Sequence, residues 1–284
     1  MKQLLTFGLG YSAAALARLL TRRGDWRVTG TTRDAARAAA ILQTGATPLI
    51  WPGDDAGVSA ALDSADAILI SVAPDRQGDA VLQAWGDRIA AVRPRWLGYL
   101  SSTNVYGDRG GDWVDEDTVP APTTQRGQWR LAAEHGWQAL ADRHGLDLNI
   151  FRLAGIYGPG RGPFEKLRQG RAQLIVKPGQ VFSRIHVDDI AQVLAASIDH
   201  GGSGIWNVCD DDPAPPQDVL TEAAKLAGLP IPPAQAFDTA DLSPMARSFY
   251  AESKRVRNDR IKRELGVSLL YPDYRAGLRA LIGE

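Results

Sequence analysis

The stretch TTQRGQWRLAAEHG, residues 123–136, sets Arg126 and Arg130 four residues apart in a helix-like pattern. Like charges at that spacing repel by about 0.2–0.5 kcal/mol on an exposed helix. A bound anion lying between them, whether carboxylate, phosphate or cofactor, relieves that repulsion and suits two guanidinium forks. The bland reading leaves both arginines solvated, with Arg130 paired to Glu134 one turn further on.

A second constellation points to phosphate. Gly8-Leu9-Gly10-Tyr11-Ser12-Ala13 stands directly after the first apolar run and opens the first helical segment. Gly8 permits a tight turn, Gly10 lets backbone approach a pyrophosphate, and the small Ala13 allows close helix–strand packing. The helix start, with Tyr11 and Ser12, offers unpaired N–H groups and partial positive charge to a dinucleotide. Cofactor choice is read about twenty residues on. There an acidic residue would accept the ribose hydroxyls of NAD, but the chain has Thr31, Thr32 and Arg33. Arg33 can fork onto a 2′-phosphate with help from the threonine hydroxyls, so NADP is expected in preference to NAD. Asp34 reads as the N-cap of the next helix. Asp54, in WPGDD, is either an adenine contact or a turn former. Val72, Ala73 and Pro74, after the fourth apolar run, are expected to line the cofactor with backbone and small side chains.

These residues need a scaffold that brings strand ends together. Apolar runs at 2–7, 26–32, 46–50, 67–72, 95–102 and 146–153 alternate with helical patterns at 11–23, from Asp34, at 77–92 and at 126–144. Such alternation predicts an α/β fold: a Rossmann-type, doubly wound parallel sheet covered on both faces. After Leu153 the texture turns to Gly and Pro, as in AGIYGPGRGPFEKL, although 185–198 and 205–208 still read as core. The expected organisation is a dinucleotide-binding core over 1–154, completed by 181–209, and a small C-terminal substrate lobe built from 155–180 and 210–284.

Composition narrows the partners. A net charge of −1 gives no global field towards nucleic acid or an anionic membrane. No stretch approaches the length of a membrane span, and the opening MKQLLTFGLG has too short an apolar run for a secretory leader. The single cysteine, Cys209, excludes an internal disulfide and a multi-cysteine metal site. A cytoplasmic protein acting on a small molecule is the expectation.

With the glycine turn in place, LSSTNVYGD (100–108), FRLAGIYGPGR (151–161), RIHVDDIA (184–191) and SKRVRNDRIKRELG (253–266) together resemble the extended short-chain dehydrogenase/reductase superfamily of the NAD-dependent epimerase/dehydratase type. The resemblance covers nearly the whole chain. It implies a nicotinamide cofactor, a substrate lobe from the C-terminal segments, and room for a homodimer. It also implies that Ser102 orients substrate, and that a Tyr-x-x-x-Lys helix should carry the chemistry. In that register Arg126 stands for the tyrosine and Arg130 for the lysine. Arginine stays protonated, so Arg126 cannot pass the proton, whereas Arg130 can take over the cationic role. Thr103-Asn104 replace the Asp-Glu of dehydratase-type members, which argues against sugar dehydration. Phe182 occupies the place of a pyrophosphate-binding arginine, with Arg184 close by. Asp188 and Asp189 are expected to cap a helix start rather than to join His186 in a metal site. Two functions follow: an NADP-dependent oxidoreductase or epimerase on a small or sugar-related, anionic substrate, or a non-catalytic NADP(H)-binding sensor.

Overall fold

The computed structural model describes residues 1–282. The first half of the chain gives the expected alternation: β1 (Lys2–Phe7), α1 (Tyr11–Arg23), β2 (Trp26–Thr32), α2 (Ala38–Leu42), β3 (Thr47–Ile50), α3 (Asp55–Asp63), β4 (Ala67–Ile70), α4 (Ala80–Val92), β5 (Trp96–Ser102) and α5 (Gln125–His144). With strands Leu148–Leu153 and Gly204–Val208 they build a seven-stranded parallel sheet, ordered 204–208, 148–153, β5, β4, β1, β2, β3. The chain reverses its direction of travel across the sheet between β1 and β4. A crevice therefore opens at their carboxyl ends, where α/β sheets bind ligands.

Both faces of the sheet are covered, which is why its strands are continuous apolar runs rather than alternating ones. On one face α1 buries Ala13, Leu16, Ala17 and Leu20 beneath the helix Val187–His200. On the other, Val58, Val81, Ile89 and Trp137 from α3, α4 and α5 pack on Leu5, Ile68 and Leu97. No helix among the described residues is long and apolar enough to cross a membrane.

The later segments form their own cluster, in which Phe164 and Leu167 meet Val219, Ala223, Tyr274 and Leu278. The stretch after Leu153, read as loop, contains a strand, Gly155–Tyr157, and a helix, Pro163–Arg168. Its Pro sits at the helix start, where a missing N–H costs nothing. Within 210–284, Val256, Ile261 and Val267 pack into the main core instead of the lobe. Three two-stranded parallel pairs complete these segments: Gly155–Tyr157 with Arg184–His186 and Trp113–Val114 with Arg255–Val256 join later segments to the core, and Leu174–Val176 with Ala234–Ala236 lies within the lobe.

Beneath the crevice lies a buried ion pair that no local pattern announces. Glu134 of α5 meets Arg152 of the neighbouring strand at 2.8 Å, with both side chains under 5% exposed (3% and 4%). Ser101 donates to the same carboxylate. Arg152 also donates to the Tyr106 hydroxyl (3.0 Å), which donates to Asn207 Oδ1 (2.7 Å). Glu134 is therefore not the partner of Arg130. Removing one member strands a buried charge, so Arg152→Met should lower stability by about 3–5 kcal/mol. The check is a urea unfolding curve, with the midpoint falling and the slope unchanged.

Candidate active-site cleft

A cleft of about 600 Å³ sits over the carboxyl ends of β1, β4, β5 and the strand 148–153. Its walls bring together six residues picked out from sequence: Gly10, Tyr11, Ser12, Ser102, Arg126 and Arg130. Gly8 lies just below, with φ +84, and a Cβ there would come within 3.0 Å of Val72 Cγ2. Only glycine suits both the left-handed backbone and that close approach.

At Gly10 the requirement is different. Its φ is −85, and a Cβ would meet nothing within 4 Å, so a side chain would fill the cleft itself. Gly10 caps α1 without a side-chain hydrogen bond, and the first turn holds no acidic residue. A bare cradle, uncapped N–H groups and the helix dipole fit a diphosphate. Tyr11 ties this turn to the lobe, since its hydroxyl donates to the Pro159 carbonyl (2.8 Å) and Arg161 lies over its ring at 5.6 Å.

The remaining cofactor candidates stand outside the cleft, along the same sheet edge. Thr31 Oγ1 accepts from Gly8 N (2.8 Å) and braces the glycine turn. Thr32 Oγ1 is engaged with Asp34 backbone, accepting from its N at 3.2 Å. That leaves exposed Arg33 as the cation at the end of β2. Asp34 accepts from Ala36 N (2.9 Å), the cap expected of it. Asp54 accepts from Gly57 N (2.8 Å) and so serves as the N-cap of α3. Val72, Ala73 and Pro74 follow β4 but do not line the cleft; Ser71 does. A shallower hollow lies between Trp51 and Trp85.

At the other end of the cleft, Ser102 Oγ accepts from Asn104 N (3.2 Å), starting a short turn of 3-10 helix. Its own O–H stays available to a ligand. Arg130 is half-anchored: Nη1 donates to the Leu100 carbonyl (2.7 Å) and to the Tyr99 hydroxyl (3.3 Å). Arg126, one turn earlier, is exposed at the rim. Tyr106 is buried behind them, and burial pushes its phenol up to about 12. Its hydroxyl is engaged by Arg152 and Asn207 and does not line the cleft.

Two expectations change around the helix 187–200. His186 Nδ1, not an aspartate, accepts from Asp188 N (3.2 Å) at the helix start. Burial lowers the His186 pKa, which keeps the ring neutral enough to accept. Asp189 instead reaches across to accept from Leu270 N (2.6 Å) and Tyr271 N (3.1 Å), fastening a segment eighty residues downstream. No group of acidic, histidine or cysteine side chains among the described residues has metal-site geometry. Arg184 is turned away from the cleft, donating to the Phe182 (2.8 Å) and Ala214 (3.0 Å) carbonyls.

Sequence reasoning missed Glu252 and Lys254. Both line the cleft, both are buried, and they form an ion pair of 2.7 Å. The spacing of like-positioned charges two apart, E-S-K, was the available signal.

With this geometry established, comparison places the chain. The profile of the NAD dependent epimerase/dehydratase family matches residues 4–209, and the protein belongs to that family. The chain is 32% identical to protein YeeZ of Escherichia coli K12, over 96% of its own length and 97% of that protein's. A conserved protein from Silicibacter pomeroyi DSS, described as functionally unknown, has a solved structure 58% identical to it. That structure covers all of this chain (100%, and 99% of its own), with a TM-score of 0.94. The UDP-glucuronic acid 4-epimerase of Bacillus cereus, solved with UDP-glucuronic acid and NAD, shares the fold at TM-score 0.79. The two are 17% identical, over 99% of this chain and 98% of that one.

Buried Asp210, beside Arg184, generates a pH prediction. Burial pushes its carboxyl up to about 8, with Arg184 opposing. A folded-state pKa above the unfolded value favours the folded state at low pH, and that contribution is lost as pH rises through about 8. Asp210→Asn should therefore flatten the fall in stability between pH 5 and 8.5, by at least about 1 kcal/mol across that window. Urea midpoints at a series of pH values measure it.

Proposed function

We propose that the protein is an NADP-dependent oxidoreductase acting on a small, anionic carbonyl or sugar-related substrate. The observation that carries this reading is the charge of the cleft. Arg126, Arg130, Arg161 and Lys254 face it, against one carboxylate, Glu252, which already has a partner. Such an excess of cation in a partly desolvated site favours a negatively charged occupant.

The diphosphate of the cofactor would lie on Gly10, Tyr11 and Ser12, with Arg33 at its 2′-phosphate and the Trp51–Trp85 hollow beside its base. When bound, the nicotinamide supplies or accepts hydride. The chain's own groups do the rest. Ser102 donates its O–H to a substrate oxygen. Arg130, held at Nη1 by the Leu100 carbonyl, turns its remaining N–H donors to the substrate. Arg126 closes on the substrate's anionic group from the rim. Leu100, Ile156, Phe182 and Phe249 line the same space and reduce the water around the reacting carbon.

The arginine in the tyrosine's place supports the rival, a non-catalytic NADP(H)-binding sensor, and one experiment separates the two. NADPH oxidation is followed with 2-oxo acids, phosphorylated aldoses and nucleotide sugars, each organic acid paired with its neutral ester or amide. The expected result is turnover favouring anions, with Arg126→Ala reducing kcat/KM on the anion by about 10–100-fold, the loss of one charge-assisted contact. Equal rates on charged and neutral partners would remove the anion assignment. Tight NADPH binding without turnover of any compound would favour the sensor.

A further inference from the structure

Two buried ion pairs lie near the cleft, Glu134–Arg152 beneath it and Glu252–Lys254 in its wall, and they differ in what they leave over. Arg152 has every arm of its fork occupied: Nε and Nη2 on Glu134, Nη1 on the Tyr106 hydroxyl. That pair is a tie. Lys254 is 8% exposed and has three N–H donors, one of which goes to Glu252 Oε2 (2.7 Å). Lys254 is itself part of the cleft wall.

The segment carrying it is held as firmly as any strand. Ser253 N donates to Asp108 Oδ1 (2.8 Å), and its carbonyl accepts from Arg109 N (3.0 Å) and Gly111 N (2.9 Å). Its hydroxyl donates to the Gly179 carbonyl (3.0 Å) and accepts from Val181 N (3.2 Å). Ser253 is thereby pulled to one side of the chain, and Glu252 and Lys254 lie on the other, towards the cleft. The Glu252 carboxylate is fixed in turn: Oε1 accepts from Thr123 Oγ1 (2.8 Å), and the backbone carbonyl accepts from Gln180 Nε2 (2.6 Å). Burying an ammonium and a carboxylate costs several kcal/mol per ion. A preorganised pair on the wall of the site, built by four separate loops, has the structure of a functional group and its positioner.

Chemistry decides which function. The cleft's other cations are arginines, which hold their protons. A lysine can release one, and the hydroxyl of Tyr11, which also lines the cleft, is already donated to the Pro159 carbonyl. We propose that Lys254 is the catalytic acid/base of this site and that Glu252 is its positioning residue. The proposal rests on the oxidoreductase reading above. In the reducing direction, a substrate carbonyl accepts hydride, with its electron pair, at carbon from NADPH, which is oxidised to NADP⁺. The carbonyl oxygen takes the proton from Lys254 Nζ: an N–H bond breaks and an O–H bond forms. The neutral amine, still beside the Glu252 carboxylate, then regains a proton from water. Ser102 and Arg130 hold the same oxygen and the anionic group while this happens.

The test uses Lys254→Arg, which keeps charge and ion pair but cannot exchange the proton, and Lys254→Met. Calorimetry with NADPH and a melting curve establish that both variants fold and bind cofactor as the wild type does. With a compound that the wild type turns over, the expected result is kcat lowered by about 10²–10⁴-fold in both variants, the usual range for general acid–base groups. KM should change little in Lys254→Arg. Glu252→Gln should move the pH–rate profile, which a purely structural pair would not. Independently of activity, acetic anhydride should acylate Lys254 in the folded protein, mapped by peptide mass spectrometry against exposed Lys166. Near wild-type kcat in Lys254→Arg, or no label on Lys254 until the protein unfolds, overturns the proposal while leaving the oxidoreductase reading in place. A wild type that binds NADPH but reduces nothing overturns that reading, and Lys254's role with it.

Discussion

The arrangement of the cleft depends on how α5 is rotated against the sheet, and that rotation is held by Glu134 and Arg152. Arg130 and Arg126 precede Glu134 by four and eight residues, one and two turns up the same side of the helix. With Glu134 pinned to the strand 148–153 and to Ser101 of β5, both arginines are directed to the crevice. A buried ion pair is a poor source of net stability, because desolvation offsets most of the attraction. Its effect here is orientation. The same network passes through Tyr106 to Asn207, so β5, α5 and the last strand of the sheet are referenced to one charge pair.

Much of the frame was legible because it is written in local periodicity. The bounds 2–7, 11–23 and 26–32 were readable to the residue, since each apolar run ends at Gly, Asp or a strand-breaking turn. Asp34 announced itself as a cap by its position alone. What escaped was anything whose partner lies far along the chain. Arg130 and Glu134, four apart, suggested each other, yet each found a better partner across the sheet, and Arg152 stands eighteen residues beyond Glu134. Asp189 looked like a helix cap, but it holds the backbone eighty residues later, while the neutral His186 makes the cap. The strand and helix inside 155–168 were hidden by their glycines, because their pairing with 184–186 and the lobe core is a tertiary matter.

The chemistry open to the cleft is limited by the residue types on its walls. Arg126 and Arg130 of α5 bring two guanidinium groups, which hold their protons, to the crevice. Among the described residues, the lysine of the cleft wall, Lys254, comes from far along the chain, next to the short pairing of Arg255–Val256 with Trp113–Val114. In the proposed reading, cofactor recognition and substrate chemistry draw on opposite ends of the sequence. The glycine turn at the N-terminus supplies backbone N–H groups, and the loops after residue 250 close the other side.

The claim that this crevice holds a phosphate-bearing nicotinamide dinucleotide is tested most directly by titration calorimetry with NADPH and with NADH, on the wild type and on Arg33→Ala. NADPH is expected to bind at least about tenfold tighter than NADH, with the difference lost in Arg33→Ala, the size of one charge-assisted contact. Equal affinities in the wild type would contradict the role of Arg33, and binding of neither nucleotide would contradict the dinucleotide site itself.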